Sequence, residues 1–252
     1  MGLVPINLTS QVKEGQQQQF VYPYALVHYK GQALPVTLYQ GKNRGISNLE
    51  LNSAEAMLEF NLAKAVSKAL QTQKTSIGYS IGNGEPKGVT IYDLVENNLN
   101  VDYKLSTINL NSQPFVPKEF KVLVIVKPTQ TFTEQAKLKL DQYVMNGGKI
   151  LLFVDRLNAE MDSLQIKNEV VAYDRDLQLN DLLFKYGARV NADLMMDMQC
   201  DDLPFDLNGN GQFELLPWNY FPVLASKENH PINKNLGFVS ARFINSIDTV
   251  EA

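Results

Sequence analysis

Short apolar runs separated by an amphipathic stretch mark the segment from Lys121 to Asp155. Val122 to Val126 is a continuous run of apolar, mostly β-branched residues, a pattern typical of a strand that is buried on both faces. Ile150 to Val154 is a second run of this kind. The segment therefore predicts a strand, a helix and a second strand in succession, which is the repeating unit of an α/β sheet.

The helix between these two runs is predicted from its own signals. Thr131 followed by Glu134 forms a capping-box pair at its start. Gly147 with Gly148 supplies the left-handed residue that ends such a helix. Four apolar residues at helical spacing predict its buried face: Ala136, Leu140, Tyr143 and Val144.

The same alternation continues on both sides of this unit. Helices are predicted from Thr90 to Leu99 and from Leu177 to Tyr186, with Gly187 ending the second. The strands of a parallel sheet are predicted at five places: near Ile77, Leu105, Val124, Leu152 and Val190. Strands alternating with helices of this length indicate a doubly wound, mostly parallel α/β sheet.

The start of the chain has a different pattern. Alternation from Phe20 to Tyr29 and from Ala33 to Tyr39 predicts a β-hairpin. A helix capped by Asn52 and running to Leu70 is predicted next. The polar run from Gln16 to Gln19 is interpreted as a flexible turn.

This change of pattern predicts a boundary near residue 72. Residues 1–72 are expected to form a layer made of the β-hairpin and the helix. Residues 73–252 are expected to form the α/β domain with a C-terminal hairpin extension, whose turn is Asn208 to Gly211. The abrupt start and the end inside a strand-like alternation lead us to expect a fragment of a longer protein.

Charge and hydropathy exclude some classes of function. The net charge of −4 and the pI near 5.3 argue against a nucleic-acid-binding protein, which would carry a basic patch. Acidic residues are concentrated after Asn191, which indicates a solvated acidic face or a surface for a basic partner. No apolar run reaches the roughly 18 to 20 residues that cross a bilayer.

Candidates for catalysis are few. Cys200 is the single cysteine, which excludes an internal disulfide and a thiolate metal cluster. His28 and His230 are the only imidazoles, and their spacing is not that of a zinc site. We therefore expect no catalytic residue, no metal and no cofactor, while a Cys200–His–acid arrangement stays an open alternative.

Two loops match ligand-binding motifs only in part. The loop from Gly82 to Glu85 follows a predicted strand but lacks the spacing of a dinucleotide-binding or phosphate-binding loop. The run from Asp206 to Gly211 resembles the first half of a calcium loop, but Pro217 stands where the bidentate Glu is needed. Both are interpreted as structural turns.

Binding surfaces are the remaining candidates for function. Parallel α/β sheets bind ligands beyond the carboxyl ends of their strands. Four polar residues there predict a cleft rim for a ligand: Asn83, Glu85, Thr129 and Asp155. Three aromatic residues after the C-terminal turn predict a surface for a protein partner: Trp218, Tyr220 and Phe221. A turn-forming role for the polar residues and a small satellite core for the rings are the alternatives.

Four longer segments carry a more specific signal: IGYSIGNGEP, VLVIVKPTQTFTEQAKLKLDQYVMNGGKILLFVDRLNAEMDSL, LNDLLFKYGARVNADLMMDMQC and PWNYFPVL with NHPINKNL. They resemble the gliding-motility-associated ABC transporter auxiliary (substrate-binding-like) proteins of the GldG family. The resemblance covers nearly the whole chain and is most distinctive from Asp141 to Lys149. That family often has a Gly-His-Gly-Glu loop after the first strand, and Asn83 stands at the His position here.

The resemblance implies a function and a location. It implies a non-enzymatic component that works with an ABC permease and an ATPase in gliding motility or linked secretion, acting by protein or ligand binding. The domain would lie on the periplasmic, extracytoplasmic face of the cytoplasmic membrane, with the parent protein anchored through segments outside this chain. It also implies a glutamine-amidotransferase-like, flavodoxin-like fold without the catalytic Cys. The alternatives are an amidotransferase-like or hydrolase-like enzyme and a soluble small-ligand receptor.

Overall fold

The computed structural model describes residues 3–12, 15–39, 48–161, 169, 171–206, 209–225 and 238–251. The chain divides into two compact units, Met1–Gln73 with Ala225–Phe238 and Lys74–Leu224 with Val239–Ala252. The first unit holds two antiparallel strand pairs and a long helix, and the second holds a parallel sheet.

The elements described in the first unit are β1 (Ile6–Val12), β2 (Gly15–Val21), β3 (Tyr24–Tyr29), β4 (Gln32–Thr37) and α1 (Asn48–Leu70). Strand β1 pairs with β2, and β3 pairs with β4, both antiparallel. Lys30 and Gly31 have φ values of 45° and 80°, as a two-residue hairpin turn requires. The predicted hairpin before α1 is thus confirmed.

Two local predictions for this unit are wrong. Gln16 to Gln19 is not a turn but part of β2, where the antiparallel ladder with β1 satisfies the backbone polar groups. Asn52 does not cap α1, because the helix already includes Asn48. Asn52 is exposed, so its polar side chain is tolerated within the helix.

The second unit is built on a four-stranded parallel sheet in the order β6 (Lys104–Asn109), β5 (Ser76–Ile81), β7 (Val122–Val126) and β8 (Lys149–Phe153). The chain passes from β5 to β6 through a 3-10 helix (Gly88–Ile91), a π-helix (Asp93–Leu99) and the short α2 (Asn100–Asp102). It passes from β7 to β8 through α3 (Glu134–Met145). Four of the five predicted strands therefore form the parallel sheet.

Helix α3 closes one face of this sheet. Its residues Ala136, Leu140 and Tyr143 are buried, as predicted, in one core with Leu123 and Ile125 of β7. The predicted cap is wrong: the hydroxyl of Thr133, not Thr131, accepts a hydrogen bond from the Ala136 N–H at 3.1 Å. Thr131 instead donates to the Asp176 carbonyl oxygen, a contact with a distant segment that local spacing does not reveal.

Two strand predictions are corrected at the margins of the sheet. The run from Ile150 to Val154 was expected to be buried on both faces, but β8 is an edge strand on which Leu151 and Phe153 are about half exposed. The strand near Val190 does not join the parallel sheet. It is β11 (Ala188–Val190), and it pairs antiparallel with the strand Ile247–Thr249 from the end of the chain.

The other described elements of the second unit are β9 (Leu157–Asn158), β10 (Tyr173–Asp174), α4 (Asn180–Lys185), β12 (Cys200–Phe205), β13 (Glu214–Leu224), β14 (Val239–Ser240) and β15 (Ile247–Thr249). Strands β12 and β13 form the predicted hairpin extension. In its turn, the Asp206 carboxylate accepts hydrogen bonds from the Asn210 and Gly211 N–H groups, at 3.1 and 2.9 Å.

Candidate functional site

The point where the strand order reverses lies between β5 and β7. From β5 the chain moves to β6 on one side, whereas from β7 it moves to β8 on the other. Open α/β sheets bind ligands at this place, beyond the carboxyl ends of the two strands. The residues found there are the loop Gly82 to Pro86 after β5 and the loop Lys127 to Gln130 after β7.

Asn83 and Glu85 are buried in the first of these loops, and the backbone carbonyl of Asn83 joins it to the second. Asn83 is 1% exposed and Glu85 is 4% exposed. The Glu85 carboxylate accepts hydrogen bonds from the Ser80 hydroxyl at 2.8 Å and from the Asn83 N–H at 2.7 Å. The Asn83 carbonyl oxygen accepts from the N–H groups of Thr129 and Gln130, both at 2.9 Å.

Gly84 is required by the close approach of this loop to the loop after β7. Gly84 has a φ of +79°, and a Cβ placed on it would overlap the Thr129 hydroxyl oxygen. Thr129 uses that hydroxyl to donate to the Gly84 carbonyl at 3.1 Å. The two loops are therefore held closely together at the place where this type of sheet commonly binds a ligand.

Of the four residues of the predicted cleft rim, three lie together in the structure and Asp155 lies elsewhere. Asn83, Glu85 and Thr129 come together in one hydrogen-bonded group, but only Thr129 is exposed. Asn83 and Glu85 were expected to face a cleft, and they lie inside the protein instead. The Asn83 Oδ1 is buried without a hydrogen-bond partner among the described residues. Binding of a ligand at these positions stays a prediction.

Asp155 belongs to a different, charged cluster beyond β7 and β8. Its Oδ2 lies 3.7 Å from the Lys127 Nζ, which also lies 3.5 Å from the Glu160 Oε1. Arg175 donates to the same Glu160 oxygen at 3.1 Å. The pKa of Asp155 is raised, because the partial burial of its carboxyl group outweighs the attraction from Lys127 and Arg175.

A polar cavity of about 400 Å³, here called the strand-end cavity, lies beside α3 and the segment after β8. Lys137 is 6% exposed, and its ammonium group contacts Glu134 at 2.6 Å and Asp181 at 2.7 Å. These hydrogen bonds raise the pKa of Lys137, and the bond from Lys137 lowers the pKa of Asp181. Across the cavity, Arg156 pairs with Asp174 at 2.9 Å.

No pattern in the sequence predicted the strand-end cavity. Arg156 directly follows the predicted strand-end residue Asp155, so its position was a usable signal. Lys137 was not identifiable, because a lysine on an amphipathic helix is ordinarily solvated. Its burial depends on Asp181, which lies 44 residues away in the sequence.

The aromatic residues of β13 form a partly buried cluster. Phe221 is 1% exposed and lies edge-on to Phe243, with ring centroids 5.1 Å apart. Trp218 and Tyr220 are partly exposed, and the Trp218 ring lies between Phe205 and Tyr220, at 5.5 and 6.0 Å. Phe221 therefore stabilises the hairpin from inside, while binding of a protein partner by Trp218 and Tyr220 stays a prediction.

The chemistry open to Cys200 depends on its neighbours. Its thiol donates to the Met198 carbonyl oxygen at 3.7 Å and to the Asn219 Oδ1 at 3.6 Å. His230 lies outside the described residues.

Within the described ranges, no group of three or more His, Cys, Asp or Glu side chains could hold a metal ion. No helix in the same ranges is long and apolar enough to cross a membrane.

Comparisons with known proteins place the second unit in a family. The family model described as ABC-type uncharacterized transport system matches residues 74–252. No curated protein matches the chain. Among solved structures, the chain is similar to the mmIFT52 N-terminal domain, with 15% identity, a TM-score of 0.45, and coverage of 70% of this chain and 69% of that one. Since the family match spans well over half of its length, the chain belongs to the ABC-type uncharacterized transport system family and is an auxiliary component of an ABC-type transport system.

Proposed function

We propose that the protein is a non-enzymatic, extracytoplasmic auxiliary component that works with an ABC permease and its ATPase in gliding motility or linked secretion. The family match over residues 74–252 carries this proposal. The finer assignment to gliding motility rests on the resemblance of the segment from Asp141 to Lys149 to the GldG family. The component acts by binding a protein partner, and the ABC permease is the partner that the family membership favours.

Two features of the second unit support binding over catalysis. The loops at the strand-order reversal are hydrogen-bonded to each other through Asn83, so this place serves the stability of the sheet. The hairpin formed by β12 and β13 presents Trp218 and Tyr220, and partly exposed aromatic side chains are the type that dominates protein interfaces. Trp218 and Tyr220 are therefore the proposed contact residues for the protein partner.

Cross-linking in cells that make the protein tests the proposal. The full-length protein carries an affinity tag, membranes are cross-linked, and the captured proteins are identified by mass spectrometry. We expect an ABC permease and its ATPase to be enriched. If neither is captured by the wild-type protein, the proposed function is wrong.

A double variant, Trp218→Ala with Tyr220→Ala, tests the proposed surface. We expect it to capture at least tenfold less permease, because truncating aromatic residues at the centre of an interface commonly costs more than 1 kcal/mol each. Phe115→Ala is the matched control, since Phe115 is an aromatic residue of the same unit that is 61% exposed. Circular dichroism first establishes that both variants are folded. Equal capture by the folded double variant would exclude this hairpin as the contact surface.

A further inference from the structure

An apolar cavity of about 460 Å³ lies within the second unit, between the sheet and the segment that connects β5 to β6. We call it the helix–sheet cavity. Tyr79 and Ile81 of β5 and Leu105 of β6 form its floor, while Ile91 and Val95 of the connecting segment line its roof. Its volume falls within the range of about 300–1,000 Å³ that is usual for small-molecule sites.

The roof of this cavity does not pack closely on the sheet. Neither the 3-10 helix nor the π-helix has a fully buried residue, and Val89 is 93% exposed. On the opposite face, by contrast, Leu140 of α3 is 2% exposed. A π-helix is rare and is found frequently at functional sites. The irregular roof therefore leaves an accessible apolar space at the face of β5 and β6.

The charged groups of the helix–sheet cavity are Lys87 and Glu96. The Glu96 carboxylate accepts a hydrogen bond from the Asn100 side chain at 2.9 Å. Lys87 has no hydrogen bond or ion pair within the part of the chain that the structure describes, and it directly precedes the 3-10 helix. The Tyr79 hydroxyl donates to the Pro86 carbonyl at 2.8 Å, so it remains a phenol group at the inner end of the floor. The lining thus carries one positive and one negative charge, because the neutral Asn100 amide does not cancel the charge of Glu96. Of the two groups, only the exposed Lys87 is without a partner in the described ranges.

We propose that the helix–sheet cavity binds a small fatty-acid-like carboxylate, with its anionic group at Lys87 and its aliphatic chain against Tyr79 and Leu105. The apolar floor and roof account for the aliphatic chain, because removal of apolar surface from water favours binding. The ammonium group of Lys87 would pair with the negatively charged carboxylate of the ligand. This inference is independent of the proposed ABC partners, because the cavity residues and the aromatic hairpin residues are different.

Binding of decanoate to the full chain tests the inference. Titration followed by calorimetry and by methyl NMR should give saturable binding, with the largest shifts at Ile91, Val95 and Leu105. Decanol and decyltrimethylammonium test the charge requirement, and both should bind more weakly than decanoate. Absence of decanoate binding at millimolar concentration, or equal binding of all three probes, would overturn the proposal.

Two charge-reversal variants locate the site. Lys87→Glu should weaken decanoate binding about tenfold, because an attraction becomes a repulsion. Lys104→Glu changes the net charge equally, but Lys104 lies at the start of β6 and does not line the cavity. It should bind decanoate like the wild type. If a folded Lys87→Glu variant binds decanoate as tightly as Lys104→Glu does, the carboxylate is not held by Lys87 and the proposal is wrong.

Discussion

Two acidic side chains near the ends of the parallel strands, Glu85 and Asp155, illustrate how environment decides the role of a residue. Glu85 is almost fully buried and accepts two hydrogen bonds, so its carboxylate is well satisfied inside the protein. Asp155 is partly buried, and its ion-pair partner Lys127 is 3.7 Å away. Glu85 is therefore expected to stabilise the fold, whereas the charge of Asp155 is expected to cost stability.

Glu85→Ala should lower the free energy of unfolding by about 2–4 kcal/mol. The substitution leaves the Ser80 hydroxyl and the Asn83 N–H buried without their acceptor, and each such group costs about 1–3 kcal/mol. Urea unfolding measures the change. Glu119→Ala, at an exposed position of the same unit, should stay within about 0.5 kcal/mol of the wild type. Equal midpoints for both variants would show that Glu85 does not hold the loop.

Asp155→Asn should become more stable relative to the wild type as the pH rises from about 4 towards neutrality. Burial raises the pKa of Asp155 in the folded state above its ordinary value of 3.8. The folded protein therefore keeps a proton on Asp155 at pH values where the unfolded chain has lost it, so wild-type stability falls as the pH rises through this window. The Asn variant lacks this loss.

The measurement for Asp155→Asn is the difference in melting temperature between the variant and the wild type at several pH values. Carboxylates with lowered pKa values, such as Asp174 and Asp181, titrate alike in both proteins, so their effect cancels in the difference. A difference that is constant with pH, or that shrinks as the pH rises, would contradict the assigned environment of Asp155.

At the scale of elements, α3 shows how reliable an amphipathic pattern can be. Leu140 lies on its buried face at 2% exposure, whereas Leu138, two positions earlier, is 56% exposed. The spacing of apolar residues distinguished these two leucines correctly, since residues two apart point to different sides of a helix. The capping box was misplaced by two residues because both Thr131 and Thr133 are acceptable caps by type.

Leu140→Asp should unfold the parallel sheet, and Leu138→Asp should not. An unpaired charge at the position of Leu140 in the core costs more than about 4 kcal/mol, while an Asp at the exposed position replaces one solvated side chain by another. Thermal melting followed by circular dichroism compares the two variants. A wild-type melting curve for Leu140→Asp would mean that the helix is packed in a different register.

At the scale of the whole molecule, the chain is organised as two compact units, and the family match covers the one that contains the parallel sheet. Contacts within a compact unit are lost together when it opens, and separate units open with separate free energies. A substitution that destabilises one unit is therefore expected to leave the other unit folded.

In Leu140→Asp, amide hydrogen exchange should become fast in β5 to β8 and stay slow in the hairpin of β3 and β4. The destabilised core belongs to the second unit, whereas the hairpin is paired within the first unit. Mass spectrometry of exchanged peptides resolves the two regions. Fast exchange in both regions would instead indicate that the chain unfolds as one cooperative unit.

Elements that depend on near neighbours could be predicted from the sequence alone. The unit made of β7, α3 and β8, the β3–β4 hairpin and the β12–β13 hairpin follow from apolar periodicity and turn residues. The residues that form each of these patterns lie within a few helical turns or one hairpin of each other. The patterns can therefore be recognised without knowledge of the tertiary structure. The family resemblance was likewise contained in contiguous segments.

The burial of polar residues and the identity of their partners, by contrast, became visible only in the folded structure. Asn83 and Glu85 were predicted as a rim and are internal, and Lys137 was overlooked and is buried beside Asp181. Strand β11 pairs with β15 and not with a strand of the parallel sheet. Burial and strand pairing depend on contacts between residues that are far apart in the sequence, and such contacts leave no local pattern by which they could be predicted.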